Sequence, residues 1–457
     1  MATGAAMFGL GMVVTSAGVA AHSLPLLYLG NAVCGLGYGC AYTPPLQALM
    51  DWFPDRRGLA SGVVIAGFGS GALVFTPAIN LLSAQLCVLP TQVAAAAAGA
   101  QQLVHCTAAD LARLPYPDLS PGSYLVSSGD TGLGPSLAVL AGLYSALILC
   151  SALSIARPPP GYSPPGRSPA PAPGPAAGGG GNVPVEAVLG TPQFWLLFTT
   201  ATLLATGGMS LMSVASPLVQ EVFTAALPHL VTPAFASAYV MALSVANLSG
   251  RVVWAAVSDR IGRRATFHLL CLSSVPLYLA IPRLISGCVS DPASPLAPLY
   301  LTGFCASSFL AVTIMGGVFS VLPPYEADLY GSKYVGAIHG KFLPFSTIRG
   351  IIGPAILLNL RSREEARSID EILTRVDPEV FKSLTGEELS AAQHLLETKS
   401  LTLSKLVTVL PPDMPDPSPF LYDSTMYTMA GLAACSAILH YYVKPVDKKY
   451  FEIKQKS

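Results

Sequence analysis

The sequence predicts an all-α polytopic membrane protein, and three observations carry that prediction. Only 50 of the 457 residues are charged, 11% of the chain against about 25% in a soluble domain. Ten apolar windows totalling 248 residues hold just five of those charges: Arg251, Arg283, Lys341, Arg349 and Asp423. Each window meets or nearly meets the roughly 20 residues that a helix needs to cross a hydrocarbon core of about 30 Å. Backbone groups in lipid must be satisfied internally, which makes a helix the default for runs this apolar. A membrane barrel would show alternating segments of about ten residues, and the windows do not alternate. Acids and bases balance at 25 each, so net charge points to no nucleic-acid partner. Two such populations of sequence exclude an ordinary soluble enzyme.

Four windows come first, at 4–22, 24–50, 58–82 and 133–156. The first opens almost directly after Met1 with no basic stretch, so no signal peptide is expected. The second holds GLGYG at 35–39, Tyr38 and Tyr42 four apart on one face, and Pro44-Pro45, where the helix can bend. The third holds GFGSG at 67–71. Both glycine strings lie inside apolar spans rather than between a strand and a helix, so no nucleotide cofactor is predicted. Gly35/Gly39, Gly58/Gly62 and Gly67/Gly71 read instead as small-xxx-small pairs for close helix approach.

A Pro/Gly/Ser/Ala-rich tract at 157–184 follows and reads as a mobile linker. Six more windows lie beyond it, at 191–219, 232–257, 265–286, 296–322, 335–360 and 421–443. The chain therefore divides into a four-helix bundle (1–156), a linker (157–184) and a six-helix bundle (185–457). Segment 361–420 is amphipathic. Asp377-Pro378-Glu379 has the form of an N-cap with proline at the first helical position, and Thr385 with Glu388 has capping-box spacing. A small helical insertion is expected there. The nine cysteines include no CxxC, and no metal set is predicted; Cys87, Cys106 and Cys288, on the predicted outer side, leave a disulfide open.

Lysine and arginine set the orientation. Alternate connections carry Arg56 and Arg57, Arg157 and Arg167, Arg260, Arg263 and Arg264, and Lys333, and the tail after 443 is basic. The opposite connections hold Arg113 in 83–132 and none in 220–231. Both termini are expected in the cytoplasm, with 361–420 on the other face.

Two of the basic loops carry more than charge. Ser258-Asp259-Arg260-Ile261-Gly262-Arg263-Arg264 pairs an acid with a glycine turn and three arginines. Asp51-Trp-Phe-Pro-Asp55-Arg56-Arg57-Gly58-Leu-Ala has the same character. Asp259 can pair with an arginine or a helix terminus and so latch one conformation. A plain positive-inside loop is the simpler alternative for both.

At this point a resemblance enters. DRIGRR resembles the second-half cytoplasmic loop of the major facilitator superfamily. The stretch from GLGYGCAYTPPLQALMDWFPDRRGLASG to GALVF is similar to helices four and five of its oxalate/formate-antiporter-like, monocarboxylate-carrier-related branch, and VGAIHGKF with GIIGP is similar to helix eleven. The resemblance implies a two-bundle transporter fold whose first two helices lie outside this sequence, making ten helices (four plus six) where the family has twelve.

The deep charges then gain a meaning. Arg251 precedes Asp259 by eight residues, about 12 Å along a helix. A charge at that depth costs a few kcal/mol or more unless it meets a cavity or counter-charge. No acid falls centrally in any window, so an anionic substrate is the sensible partner, with helix carbonyls as the bland alternative. The resemblance places a substrate-carboxylate arginine at Arg251, and the guanidinium fork suits a carboxylate. Asn247, one turn earlier, shares its face and stands where monocarboxylate carriers place an Asp. The branch's antiporters have a lysine that aligns near Ser346, one turn from Arg349; whether Arg349 serves that face stays open. Tyr38 and Tyr42 either line the cavity or pack between helices.

The expected function is secondary transport of a small organic anion, a carboxylate, by alternating access. The missing mid-membrane acid favours exchange or facilitated diffusion. The rival is a receptor or assembly protein that keeps a truncated transporter fold. No catalytic grouping marks an enzyme, and the expected partners are the anion and the bilayer.

Overall fold

The computed structural model describes residues 1–93, 103–106, 119–126, 128–159, 162, 181–398, 401–411 and 414–451. Most of the tract 157–184, including Arg167, and Arg113 lie outside these described residues. The chain separates into two compact units, Met1–Trp52 with Ser70–Pro164, and Phe53–Gly69 with Pro165–Ser457.

The first unit holds α1 (Ala2–Ala20), α2 (Leu24–Trp52), the later part of α3 (Arg57–Leu86), β1 (Leu103–Cys106), β2 (Gly122–Leu125) and α4 (Leu133–Ser154). Glycines let α1 and α2 touch backbone to backbone. A Cβ on Gly4 would sit 2.8 Å from Gly37 O, one on Gly11 2.7 Å from Gly30 O, and one on Gly18 2.8 Å from Leu27 N. The seam thus repeats every seven residues on both helices. This corrects the glycine pairing expected from the sequence: a Cβ on Gly35, Gly39, Gly67 or Gly71 would meet nothing within 4 Å. Met12, Leu140 and Ala141 centre the core between α1 and α4, with Phe8, Ile79 and Tyr144 packed around them. The antiparallel pair β1–β2, Leu103 opposite Leu125, was not anticipated. It lies in the connection between α3 and α4.

The second unit begins with the first turns of α3 and continues with α5 (Pro192–Ser213), α6 (Ala215–Phe223), α7 (Pro233–Ile261), α8 (Arg263–Ser290) and α9 (Ala297–Tyr330). It ends with α10 (Val335–Phe342), α11 (Pro344–Arg375), α12 (Pro378–Thr385), α13 (Ala392–Glu397) and α14 (Asp423–Tyr441). α9 is its central helix, with an unbroken buried stretch from Ile314 to Ala327. The window at 191–219 is interrupted at Val214, and that at 335–360 at Leu343, where Pro344 opens the next helix. Gly262 joins α7 to α8 at φ +88°, a conformation that favours glycine.

α11 does not stop at 360 but runs on to Arg375, so the insertion starts as a helical extension. Asp377 accepts from Glu379 N at 2.9 Å with Pro378 at the first position, capping α12. The capping box expected at Thr385 and Glu388 does not form. Thr385 Oγ1 donates to Phe381 O at 2.9 Å and closes α12, because Gly386 at φ +76° ends that helix first. Arg361 ties the extension to the bundle, donating to Glu221 at 3.0 Å and to Glu365 at 2.8 Å. Tyr422 OH completes the clasp by donating to Glu221 at 2.7 Å.

Every apolar window falls on helix. Among the described residues eight helices, α10 and α11 counted together, are long and apolar enough to cross a membrane. Arg57–Gly67 is a shorter apolar helix, and α14 spans 19 residues.

Candidate functional site

α7 carries both charged centres of the second unit. Thr232 caps its start, accepting from Phe235 N at 3.3 Å, and Pro233 follows at the first position. Arg251, about five turns further on, is 5% exposed. Its Nε donates to Asn247 Oδ1 at 3.0 Å and its Nη1 to Ile65 O at 2.7 Å. The Asn247 amide in turn lies 3.4 Å from Met212 Sδ. The spacing of four that put Asn247 on the arginine's face thus also lets it orient the guanidinium.

Arg349, on α11, comes to the same place. Its Cζ lies 4.4 Å from the Phe319 ring centroid, and that of Arg251 lies 5.6 Å from the same centroid. Both fall within cation–π range. Arg349 Nη1 reaches Met315 Sδ at 3.3 Å, while its Nε is buried with no hydrogen-bond partner among the described residues. Phe319 is itself held by Phe345, ring centroids 5.0 Å apart. Two guanidinium groups therefore share one aromatic ring, and their described hydrogen bonds go to a carbonyl, an amide and a thioether. All of these are neutral.

Asp259, near the end of α7, is saturated. Its Oδ1 accepts from Gly58 N at 2.9 Å and its Oδ2 from Leu59 N at 2.7 Å, satisfying first-turn amides of α3. Arg263 Nη2 pairs with Asp259 Oδ1 at 2.5 Å, and Arg263 Nη1 donates to Ser258 Oγ at 2.7 Å. Asp328 stands 3.9 Å from Arg263 Nε. Arg260 is exposed, and Arg264 Nη2 donates to Tyr441 O at 3.3 Å. Arg56 lies 3.9 Å from Asp55, and Arg57 opens α3.

A tight seam joins the two centres. A Cβ on Gly58 would lie 2.6 Å from Ala255 O, and one on Gly62 2.6 Å from Arg251 O. Ser61 Oγ donates to Ser320 O on α9 at 2.7 Å. The start of α3 thus follows α7 from Asp259 to Arg251 and ends with Ile65 O on the arginine. Tyr38 and Tyr42 belong to the first unit, where their ring centroids lie 5.5 Å apart with the planes tilted by 33°.

Sequence reasoning missed one pair. Glu326 on α9 is 0% exposed and His339 on α10 is 1% exposed, with His339 Nδ1 3.0 Å from Glu326 Oε2. No acid lies centrally in any apolar window, but Glu326 is buried just beyond the end of one. The window at 296–322 ended at Leu322, before Pro323-Pro324, whereas α9 continues through both prolines to Tyr330. Neighbouring helices tolerate proline in this way.

No family model matches the chain. It is 25% identical over 353 residues to the oxalate:formate antiporter of Oxalobacter formigenes, covering 76% of this chain and 66% of that protein. It is 27% identical over 372 residues to the apicoplast pyruvate carrier 1 of Toxoplasma gondii, covering 76% and 62%. The matched part thus spans a little under two thirds of either relative. Among solved structures, that of the major facilitator superfamily transporter FucP in the outward conformation superposes with a TM-score of 0.54 at 11% identity, covering 97% of this chain and 82% of that one. The chain therefore has the major facilitator fold and is similar in sequence to the oxalate:formate antiporter and to the pyruvate carrier.

Proposed function

We propose that the protein is a secondary transporter that carries a small carboxylate across a membrane by alternating access. The observation that carries the reading is the sharing of Phe319 by Arg251 and Arg349, which brings two guanidinium groups to one buried ring. Arg251 binds the carboxylate through its fork, Asn247 sets the plane of the guanidinium, and Arg349 adds the second positive charge. The unused donor at Arg349 Nε is available to a substrate oxygen. Tyr38 and Tyr42 are proposed to offer hydroxyl donors, on the basis of their sequence spacing alone.

Asp259 and Arg263 form the proposed latch. While the carboxylate caps α3, Ile65 O stays on Arg251. Releasing the cap would free that seam and change how the arginine is held, linking the loop to the binding centre. Ten crossings, cytoplasmic termini and a linker between two bundles complete the proposal, and no enzymatic activity is part of it.

Carboxylate uptake into proteoliposomes tests it. The relatives' names recommend oxalate, formate and pyruvate as the first panel. Uptake of at least one is expected, either as exchange for internal anion or down its gradient. Folded protein that moves none of them and no other small carboxylate would favour a non-transporting receptor or assembly role.

A further inference from the structure

A cavity of about 630 Å³ opens beside the α7–α8 turn, lined among others by Gly262, Arg263, Arg264, His268, Asp328 and Lys444. Its charge sets it apart from two other cavities of the second unit. One of about 470 Å³ carries Glu221, Glu365 and Asp416 against Arg361. Another of about 220 Å³ carries Glu364, Glu371 and Asp416 against Arg375. The cavity at the turn reverses the balance, with Arg263, Arg264 and Lys444 against Asp328.

Its cations are not equally engaged. Arg263 is held by Asp259 and Ser258. Arg264 and Lys444 are exposed, and the bond described for Arg264 is the single long donation to Tyr441 O. Arg263, Arg264 and Ala265 also begin the 28-residue α8, and Gly262 supplies no side-chain cap for their amides. A fork, a flexible point charge and free helix amides make a donor set for a tetrahedral phosphate, which presents more acceptor oxygens than a carboxylate.

The surroundings indicate where such a phosphate comes from. Tyr441 and Tyr442 are 64% and 57% exposed at the end of α14, and Leu269 and Leu272 are exposed along α8. Exposed tyrosines next to exposed apolar helix mark the boundary where lipid headgroups lie. Basic clusters at that level attract anionic lipid. We propose that this cavity binds a phosphate group, presented by an anionic phospholipid headgroup, and that the bound phosphate steadies the α7–α8 turn beside the Asp259–Arg263 pair. The site is separate from Arg251 and does not depend on the transported substrate.

Thermal unfolding of the full-length, delipidated protein in detergent provides the test. Short-chain phosphatidic acid, phosphatidylcholine of the same chain length, and inorganic phosphate are titrated in turn. Phosphatidic acid is expected to raise Tm saturably, with phosphatidylcholine giving no saturable shift. The double variant R264Q/K444Q, altered only at exposed residues, should need at least about tenfold more phosphatidic acid. K382Q, a change of equal kind on the insertion, should need no more than the unaltered protein. An equal response to inorganic phosphate would keep the site and assign its source to free phosphate. No shift with either phosphate, or an undiminished shift in R264Q/K444Q, would overturn the proposal. Native mass spectrometry of retained lipid reads binding directly if R264Q/K444Q unfolds too early to titrate.

Discussion

Asp259 and Arg251 sit eight residues apart on α7, and the protein treats their charges in opposite ways. The carboxylate of Asp259 is answered on the spot by two α3 amides and by Arg263. The guanidinium of Arg251 is positioned by Asn247 and Ile65 O and shares Phe319 with a second arginine. One centre is neutralised by the fold, so its chemistry is structural. At the other, two like charges stand together in a place where burying even one is expensive. On the proposed reading, the contrast separates a latch from a binding site on a single helix.

Substitutions at four positions sharpen or break that contrast. The largest effect is expected at the binding centre: Arg251→Lys keeps the charge but loses the fork, and Arg251→Ala loses both. Removing one partner of a desolvated charge pair costs about 2 kcal/mol or more, so carboxylate uptake at limiting substrate should fall more than tenfold, for Ala at least as much as for Lys. Gly62→Leu comes next. It drives a side chain into Ala255 and Arg251 O, and overpacking of this kind costs about 1–3 kcal/mol, visible as a lowered Tm together with slower uptake. Asp259→Asn removes the ion pair with Arg263 and weakens the α3 cap, a loss of about 1–2 kcal/mol. It should change the transport rate while substrate affinity stays within about twofold. Smallest is Gly35→Ala, which meets open space and should leave Tm within the range of a neutral surface change, about 0.5 kcal/mol either way. If Asp259→Asn weakened substrate binding as much as Arg251→Lys, the two centres would not be distinct.

The helices were legible because the exclusion of charge from lipid is a strong and local rule. Arg251 was legible for the same reason, as a violation of that rule. What escaped depended on which backbone touches which. The α1–α2 seam uses Gly4, Gly11 and Gly18 against Gly30 and Gly37, a spacing of seven, whereas spacing of four drew attention to Gly35 and Gly39. A single-helix pattern cannot say which glycines face a neighbour. Glu326 and His339 escaped because Pro323-Pro324 suggested an end that tertiary packing overrides. The sequence argument against proton-linked transport rested on the lack of an acid at the middle of any window, and Glu326 lies beyond the end of its window, near the end of α9. The Phe319 bridge between Arg251 and Arg349 joins residues 98 positions apart, and nothing in the local pattern of either helix announces it. The strands at Leu103–Cys106 and Gly122–Leu125 are short and pair across a long connection, so period-two alternation had little length in which to show.

The central claim is that Arg251 recognises a carboxylate while Asp259 does not. Equilibrium binding of a radiolabelled carboxylate, chosen from those taken up in proteoliposomes, to purified unaltered, R251K and D259N proteins tests it without the complications of transport. Binding weakened more than tenfold in R251K and within about twofold of unaltered in D259N is the predicted result. Undiminished binding in R251K would contradict the account.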